Sequence, residues 1–383
     1  MPLVLILILL SALPDAMVVP VLRDLLVERY GATAEASQAF LAVNLLGAGL
    51  AIPLVRWLRR RWPAWSVAAA GAMADASLLA LMWLPIGFGP TLVVRCLEGV
   101  ADVATFAALF QILGSVGGRG MAWRMGVGAS MLIGGLGAGA VLGGAAVRAS
   151  DAGPTIAFVL GAICCFVTGC GALMGHRTLD LAGPTSEVPE PVQPILKGPL
   201  WPMLLMAASD RATGAALTAV FASFLARNLG YDPAERGRLV GLPLLLMAIG
   251  AAPAGWWADR LGSLRVRTAA AVVYAVCFAA ISWVGASTLA LSCVLLLLGV
   301  AGAPLLPASL SLIVSSGRGT SGLAAFRAAG DGGYFLGIVV VVTVGALAGG
   351  DRLATQQSLM IAFSIAHLVC TVVSRRALGI RVR

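Results

Sequence analysis

Gly255-Trp256-Trp257-Ala258-Asp259-Arg260-Leu261-Gly262-Ser263-Leu264-Arg265 joins two apolar runs, 236–257 and 266–285, each long enough to cross a bilayer. The turn gathers one carboxylate and two arginines at the end of a helix. A carboxylate placed there can accept bonds from an arginine and from the N-terminal amides of a neighbouring helix. Such a contact forms a latch at one membrane face, which has to break before that face can open.

Working outward, the rest of the chain is made of similar runs. Apolar residues are 60% of the 383 and charged residues 11%, against roughly 25% charged in soluble domains. A spanning helix needs about 20 apolar residues. Twelve stretches meet that length, from 3–25 at the start, through 89–113, 199–226 and 288–315, to 355–374 at the end. The expected architecture is therefore an all-α membrane protein of 12 transmembrane helices with no soluble domain of useful size. No cleavable leader is expected, because the first run has no basic segment before it and carries Asp15.

The longest polar interruption is 177–198, with Pro184, Pro189, Pro191 and Pro194 beside Glu187 and Glu190. It divides the chain into two six-helix bundles, 1–176 and 199–383, joined by a linker. The halves repeat each other. Gly99-Val100-Ala101 followed by Gly118-Arg119-Gly120 is replayed by Gly299-Val300-Ala301 and Gly317-Arg318-Gly319, and Asp15 recurs as Asp210. Two related bundles are expected to leave a cavity on their shared axis near the midplane.

Of the 26 basic residues, sixteen fall on the side shared by both termini and seven on the other, Arg236 among the seven and Arg267 among the sixteen. The positive-inside rule puts both termini in the cytoplasm of a multi-pass cell-membrane protein. The net charge of +9 then reflects topology and contact with anionic lipid. Dispersed over many short loops, these cations give no support to a nucleic-acid role. The seven cysteines lie within spans without zinc-type spacing and read as small packing residues. His176 and His367 are placed at or inside helix ends and form no metal pair. No Walker loop is present, which argues against an ATP-driven pump. Cofactor, metal and catalytic residues are all expected to be absent, and the protein is not expected to be an enzyme; an intramembrane aspartyl protease is disfavoured because Asp232 lies in a polar loop and Ala328 stands where a Gly-x-Gly-Asp motif needs glycine.

Nine charges lie inside the spans: Asp15, Asp75, Arg95, Glu98, Asp102, Asp210, Arg211, Arg327 and Asp331. Each costs about 2.5–3.5 kcal/mol at a helix centre facing lipid, so nine would cost on the order of 20–30 kcal/mol. That exceeds the roughly 5–15 kcal/mol of total stability usual for a protein. Most must therefore pair, sit near helix ends, or face water. Arg95, Glu98 and Asp102 share one face of the fourth span at i, i+3 and i+7, whereas their counterparts are Leu295, Leu298 and Gly302. The polar face then belongs to one half, as expected if it handles a proton or a charged solute group. Arg95 with Glu98 also reads as a structural pair. Asp15, Arg95, Glu98, Asp102, Asp210 and Arg211 are the candidate pathway residues. Arg211 points away from Asp210, so a partner for one of them is expected from another span. Arg327 and Asp331, one turn apart, read as a pair or gate element, and Asp75 as a packing residue.

Gly135, Gly139 and Gly143 recur at every fourth position, with Gly134 and Gly144 beside them, a spacing that lets helix backbones approach closely. This seam reads equally as static packing or as a hinge where the halves move. Gly330, Gly332, Gly333 and Gly337 occupy the related place in the second half.

The stretch 255–265 resembles the signature loop of the major facilitator superfamily: Gly, two positions, Ala, Asp, Arg, one position, Gly, then a basic residue. The first-half turn, Val55 to Pro63, has Arg59, Arg60 and Arg61 but neither Asp nor Gly. Leu92-Val93-Val94-Arg95-Cys96-Leu97-Glu98-Gly99 resembles the fourth-span arginine motif, with Glu98 where Gln is usual. Gly139-Ala140-Val141-Leu142-Gly143-Gly144 resembles the fifth-span antiporter motif, with Ala140 in place of proline. Phe326-Arg327-Ala328-Ala329-Gly330-Asp331-Gly332-Gly333-Tyr334 is similar to a run found in bacterial members. The resemblance covers nearly the whole chain. It implies the major facilitator fold, a cavity lined by spans 1, 4, 7 and 10, and a cytoplasmic gate at Gly255, Asp259, Arg260, Gly262 and Arg265, with Arg327 and Asp331 assigned to the same gate.

The expected function is secondary transport by alternating access. Proton-coupled export of a small organic solute is the first reading, on the glycine run and the apolar cavity residues Phe106, Phe110, Phe221 and Phe224. The alternative is proton-coupled uptake of an organic anion or nutrient with Arg95 or Arg211 as counter-charge. A non-transporting sensor of the same fold ranks lower. The expected partners are a small-molecule substrate, protons and the lipid bilayer, for a protein acting as a monomer.

Overall fold

In the computed structural model the chain is helical throughout its described length. The description excludes residues 60, 116–120, 151–152, 180–198, 285–286, 317–318, 351 and 380–383. It also excludes the side chains at 28, 34–39, 52–53, 55–56, 59, 114–115, 121–125, 177–179, 259, 314–315 and 319–324. The repeated Gly-Arg-Gly turns and most of the linker lie outside the described residues.

The helices are α1 (Pro2–Met17), α2 (Ala34–Arg59), α3 (Ala64–Trp83), α4 (Phe88–Ser115), α5 (Met121–Ala149), α6 (Ile156–Leu179), α7 (Trp201–Ala216), α8 (Ala222–Arg227), α9 (Pro233–Leu261), α10 (Ser263–Val284), α11 (Thr288–Gly302), α12 (Leu305–Ser315), α13 (Gly319–Ala348) and α14 (Leu353–Gly379). Nine helical stretches among the described residues are long and apolar enough to cross a membrane; α2, α4 and α7 lie outside that set. Two expected single spans are interrupted. The run 288–315 breaks between α11 and α12 at Ala303-Pro304, where proline has no N–H to continue the ladder. The run 199–226 passes from α7 through a π-helical turn, Leu217–Phe221, into α8.

Two compact units are present. Unit 1 comprises Met1–Glu187 with Tyr231–Gly241, and unit 2 comprises Val188–Gly230 with Leu242–Arg383. The first turns of α9 thus belong to unit 1. The same pairings recur inside each unit: α1 on α5 and α7 on α13, α3 on α6 and α10 on α14, α3 on α4 and α10 on α11.

Local features repeat as well. A π-helical turn, Asp24–Glu28, follows α1 as Leu217–Phe221 follows α7. Gly31 (φ 63°) and Gly230 (φ 67°) each end that region in the left-handed conformation that favours glycine. Arg61 stacks over Trp57, and Arg260 stacks over Trp256, each pair four residues apart at a helix end.

Small residues set the helix spacing. A methyl group at Gly135 would lie 2.5 Å from the Leu9 carbonyl oxygen, and at Gly139 or Gly143 it would collide with the carbonyls of Leu13 or Met17. The three-glycine face of α5 therefore meets α1 inside its own unit. Gly144 turns to another neighbour, the backbone at Pro233, also within unit 1. In unit 2, Gly333 and Gly337 hold α13 against Ala208 and Ala212 of α7 in the same manner.

Candidate functional site

In unit 1 the site is built by one close approach. A side chain at Gly99 would strike the Asn44 carbonyl, and one at Gly47 would strike the Cys96 carbonyl, so two glycines bring α2 and α4 into backbone contact. That contact carries Asn44 to Glu98, whose Oε2 accepts a hydrogen bond from Asn44 Nδ2 at 2.6 Å. One turn back on α4, Arg95 Nη1 donates to Glu98 Oε1 at 2.5 Å. Arg95 also lies 4.0 Å from Asp15 on α1, and its guanidinium sits 4.9 Å from the centre of the Phe40 ring. Arg95 and Glu98 are buried, 3% and 1% exposed, while Asp15 keeps 31% of its side chain accessible.

The cluster is rich in carboxylates. Arg95 is the cation that feels four carboxylates: Glu98, Asp15, Asp75 and Asp102. Asp75 on α3 is buried and accepts a bond from the Cys165 thiol of α6 at 3.1 Å, while its other oxygen has no partner among the described residues. Asp102 is half-buried one turn beyond Glu98. With all four ionised, the group would place four negative charges near one another among apolar helices. Such a group can be stable only with bound protons, a counter-ion or water.

Among the described residues, two charged clusters of unit 2 lie off the helix equivalent to α4. There, Leu295 and Leu298 are buried core residues. Asp210 of α7 pairs with Arg267 of α10, whose Nη2 lies 2.8 Å from both carboxylate oxygens. Arg267 Nε donates to Ser309 Oγ at 2.8 Å. His367 Nδ1 is 3.8 Å from Asp210 and 3.3 Å from the Thr213 hydroxyl, and its ring packs on Tyr274. Three corrections follow. Arg267 is not a loop cation but fully buried, because a residue five positions into α10 faces the neighbouring helices. His367 is not near a helix end; it lies mid-way along α14 and is 1% exposed. Arg236 likewise leaves the loop count: it is 4% exposed and pairs closely with Asp24 within unit 1.

The second cluster is more exposed. Asp331 is shared by two arginines, Arg327 Nε at 2.9 Å and Arg211 Nη2 at 3.5 Å. The Arg211 guanidinium also lies 5.4 Å from the centre of the Tyr334 ring, and the Tyr334 hydroxyl meets Thr218 at 2.5 Å. Both arginines keep over 40% of their side chains exposed. Two arginines thus share one carboxylate, and both remain accessible. The adjacent residues Asp210 and Arg211 thus find separate partners on different helices, since their side chains diverge by about 100°.

At the loop between α9 and α10, Gly262 adopts φ 92°, a methyl group at Gly255 would meet Pro307 at 3.7 Å, and Arg265 is exposed. Arg260 lies 3.7 Å over the Trp256 ring. The side chain of Asp259 lies outside the described residues. Among the described residues no group of histidines, cysteines and carboxylates is arranged to hold a metal.

No family model matches the sequence, and no curated protein matches it. Solved structures match in shape. A crystal structure of the peptide transporter POT in complex with sulfate aligns with TM-score 0.75 at 13% identity, covering 99% of this chain and 94% of its own. The chain has the fold of these transporters. A mutant of the same transporter with sulfate gives TM-score 0.75 at 12% identity over 99% and 94% of the two chains. With alafosfalin bound, a mutant aligns at 0.75 and 13% identity over 98% and 93%. The likeness in fold extends across nearly the whole length of both chains.

Proposed function

We propose that the protein is a secondary active transporter that takes up a small polar solute bearing a carboxylate, driven by protons, through alternating access in the cell membrane with both termini cytoplasmic. The observation that carries this reading is the likeness in fold, over 99% of the chain, to the peptide transporter POT. The site chemistry supports it. In unit 2, Arg211 shares Asp331 with Arg327 and keeps 44% of its side chain accessible, an exposed guanidinium suited to a carboxylate. In unit 1, four carboxylates around Arg95 form a group able to take up and release protons.

Uptake is preferred to export on a specific ground. The export reading leaned on the glycine run of α5, and the face made by Gly135, Gly139 and Gly143 is occupied by α1 of the same unit. Helix packing accounts for that face, so the run supplies no argument for direction. Peptides or peptide-like acids are the proposed solute class, with Arg211 as counter-charge. The loop 255–265 is proposed as the cytoplasmic latch, through Asp259.

The test uses purified protein in proteoliposomes. An inwardly directed proton gradient should drive accumulation of labelled alanyl-alanine, and Glu98→Gln with Asp102→Asn should abolish accumulation while leaving solute exchange. Unchanged gradient-driven accumulation in that double variant would remove the proton site from unit 1. Accumulation driven by the opposite gradient would return the export reading.

A further inference from the structure

Unit 2 carries a buried polar seam that the substrate chemistry does not use. On the buried face of α14, His367, Thr371 and Ser374 follow one another at i, i+4 and i+7. All three are at most 1% exposed. His367 Nε2, Thr371 Oγ1 and Ser374 Oγ have no partner among the described residues, and neither has Nη1 of the adjacent Arg267. Buried polar atoms are paired in the great majority of proteins, and water is the usual partner when no side chain serves. Four such atoms on one seam, beginning at an ion pair, mark a route for internal water.

The hydrogen bonding fixes which nitrogen of His367 is basic. The Thr213 hydroxyl has one proton and donates it to the Ser209 carbonyl at 2.9 Å. Its oxygen therefore accepts from His367 Nδ1, at 3.3 Å. With the proton on Nδ1, the free lone pair of the neutral ring is on Nε2, the unpartnered atom. The groups facing the ring are Asp210, Thr213 and the Ser209 backbone from α7, and Arg267 and Tyr274 from α10. Asp210 lies beside Nδ1, and Arg267 clasps the same carboxylate.

We infer that the α14 seam is a second proton route, leading from the exposed last turn at Arg375 and Arg376 through Ser374 and Thr371 to the lone pair of His367. The seam from Ser374 to His367 is about 10 Å long at the helical rise, a distance spanned by a few hydrogen-bonded waters. In the step itself, a hydronium ion at the seam gives its proton to Nε2 and becomes water, leaving an imidazolium beside Asp210. Release reverses the transfer. This inference rests on the proton-coupled carrier reading and adds a site separate from the Arg95 cluster.

The experiment pairs Thr371→Val with Ser374→Ala, which remove both hydroxyls and preserve the apolar packing. Gradient-driven uptake of labelled alanyl-alanine by the full chain in proteoliposomes should fall by about ten-fold or more, while solute counterflow without a gradient stays within about two-fold of the wild type. Gradient-driven uptake that matches the wild type would overturn the route. A wild-type protein without any gradient response would instead remove the carrier reading itself. Thr371→Val alone supplies a second readout: its melting temperature falls if the hydroxyl holds water, whereas a dry orphan hydroxyl gives an equal or higher one. An equal or higher melting temperature with unchanged uptake would also overturn it.

Discussion

Arg267 on α10 clasps Asp210 on α7 with one nitrogen 2.8 Å from each carboxylate oxygen, and the arginine is wholly buried. Ser309 takes its Nε–H, and His367 stands on the far side of the carboxylate. This pair ties α7, α10, α12 and α14 together inside one unit. It also shows how an intramembrane charge is tolerated, through a partner on another helix and hydrogen bonds to what remains.

Breaking that pair from one side should be far worse than removing it whole. Arg267→Met leaves Asp210 without its cation and should cost about 3–5 kcal/mol, whereas combining it with Asp210→Leu should restore much of the loss. Unfolding of the single and double variants in detergent measures this. Equal destabilisation by Arg267→Met and by the double variant would show that the pair is not the stabilising unit.

Asn44 is held against Glu98 because Gly99 lets α2 approach α4. Asn44→Ala deletes a hydrogen bond to a charged group and should cost about 1.5–3 kcal/mol. Gly99→Val should be more severe, since it displaces α2 altogether. The order of the two melting temperatures checks the argument.

Glycines at the same spacing should respond differently according to what faces them. Gly139→Val forces a side chain onto the Leu13 carbonyl and should destabilise by about 1–3 kcal/mol or more. A methyl group at Gly332 meets nothing within 4 Å, so Gly332→Ala should be neutral or stabilising by about 0.5–1 kcal/mol. Thermal unfolding of the two variants distinguishes a packing seam from mere glycine abundance.

The shared carboxylate Asp331 gives a prediction for the solute. Arg211→Gln removes the more weakly held of its two cations, 3.5 Å away. Half-saturation for a peptide with a free carboxylate should rise about ten-fold, corresponding to about 1.4 kcal/mol. A C-terminally amidated peptide should show little change. Equal effects on both peptides would argue that Arg211 does not meet the carboxylate.

Much of the architecture could be read from the chain because apolar runs of membrane length are a strong signal and the repeat of the halves is written in it. The fourth-span charges were legible for the same reason: three ionisable groups on one face of an apolar helix have few explanations. Arg267 was not, since it follows Arg265 just past a turn glycine and looks like another loop cation. What turns it inward is the angular position of the fifth residue of α10 and the demand of Asp210 for a partner, and neither is visible in a linear reading. Arg236 was missed alike, its partner Asp24 lying more than two hundred positions away. The break at Pro304 was signalled by the proline itself, but the length of the run 288–315 masked it. His367 was not legible as buried because Asp210, Thr213 and Arg267 beside it are contributed by other helices, although Thr371 and Ser374 continue its own face of α14.

The central claim is that solute and protons enter together. Vesicles containing the wild-type protein and a trapped pH dye, with no imposed gradient, report it directly when alanyl-alanine is added outside. The account predicts acidification of the lumen that is lost when Glu98→Gln and Asp102→Asn are combined. A lumen that stays at constant pH, or turns alkaline, while labelled peptide enters would contradict it.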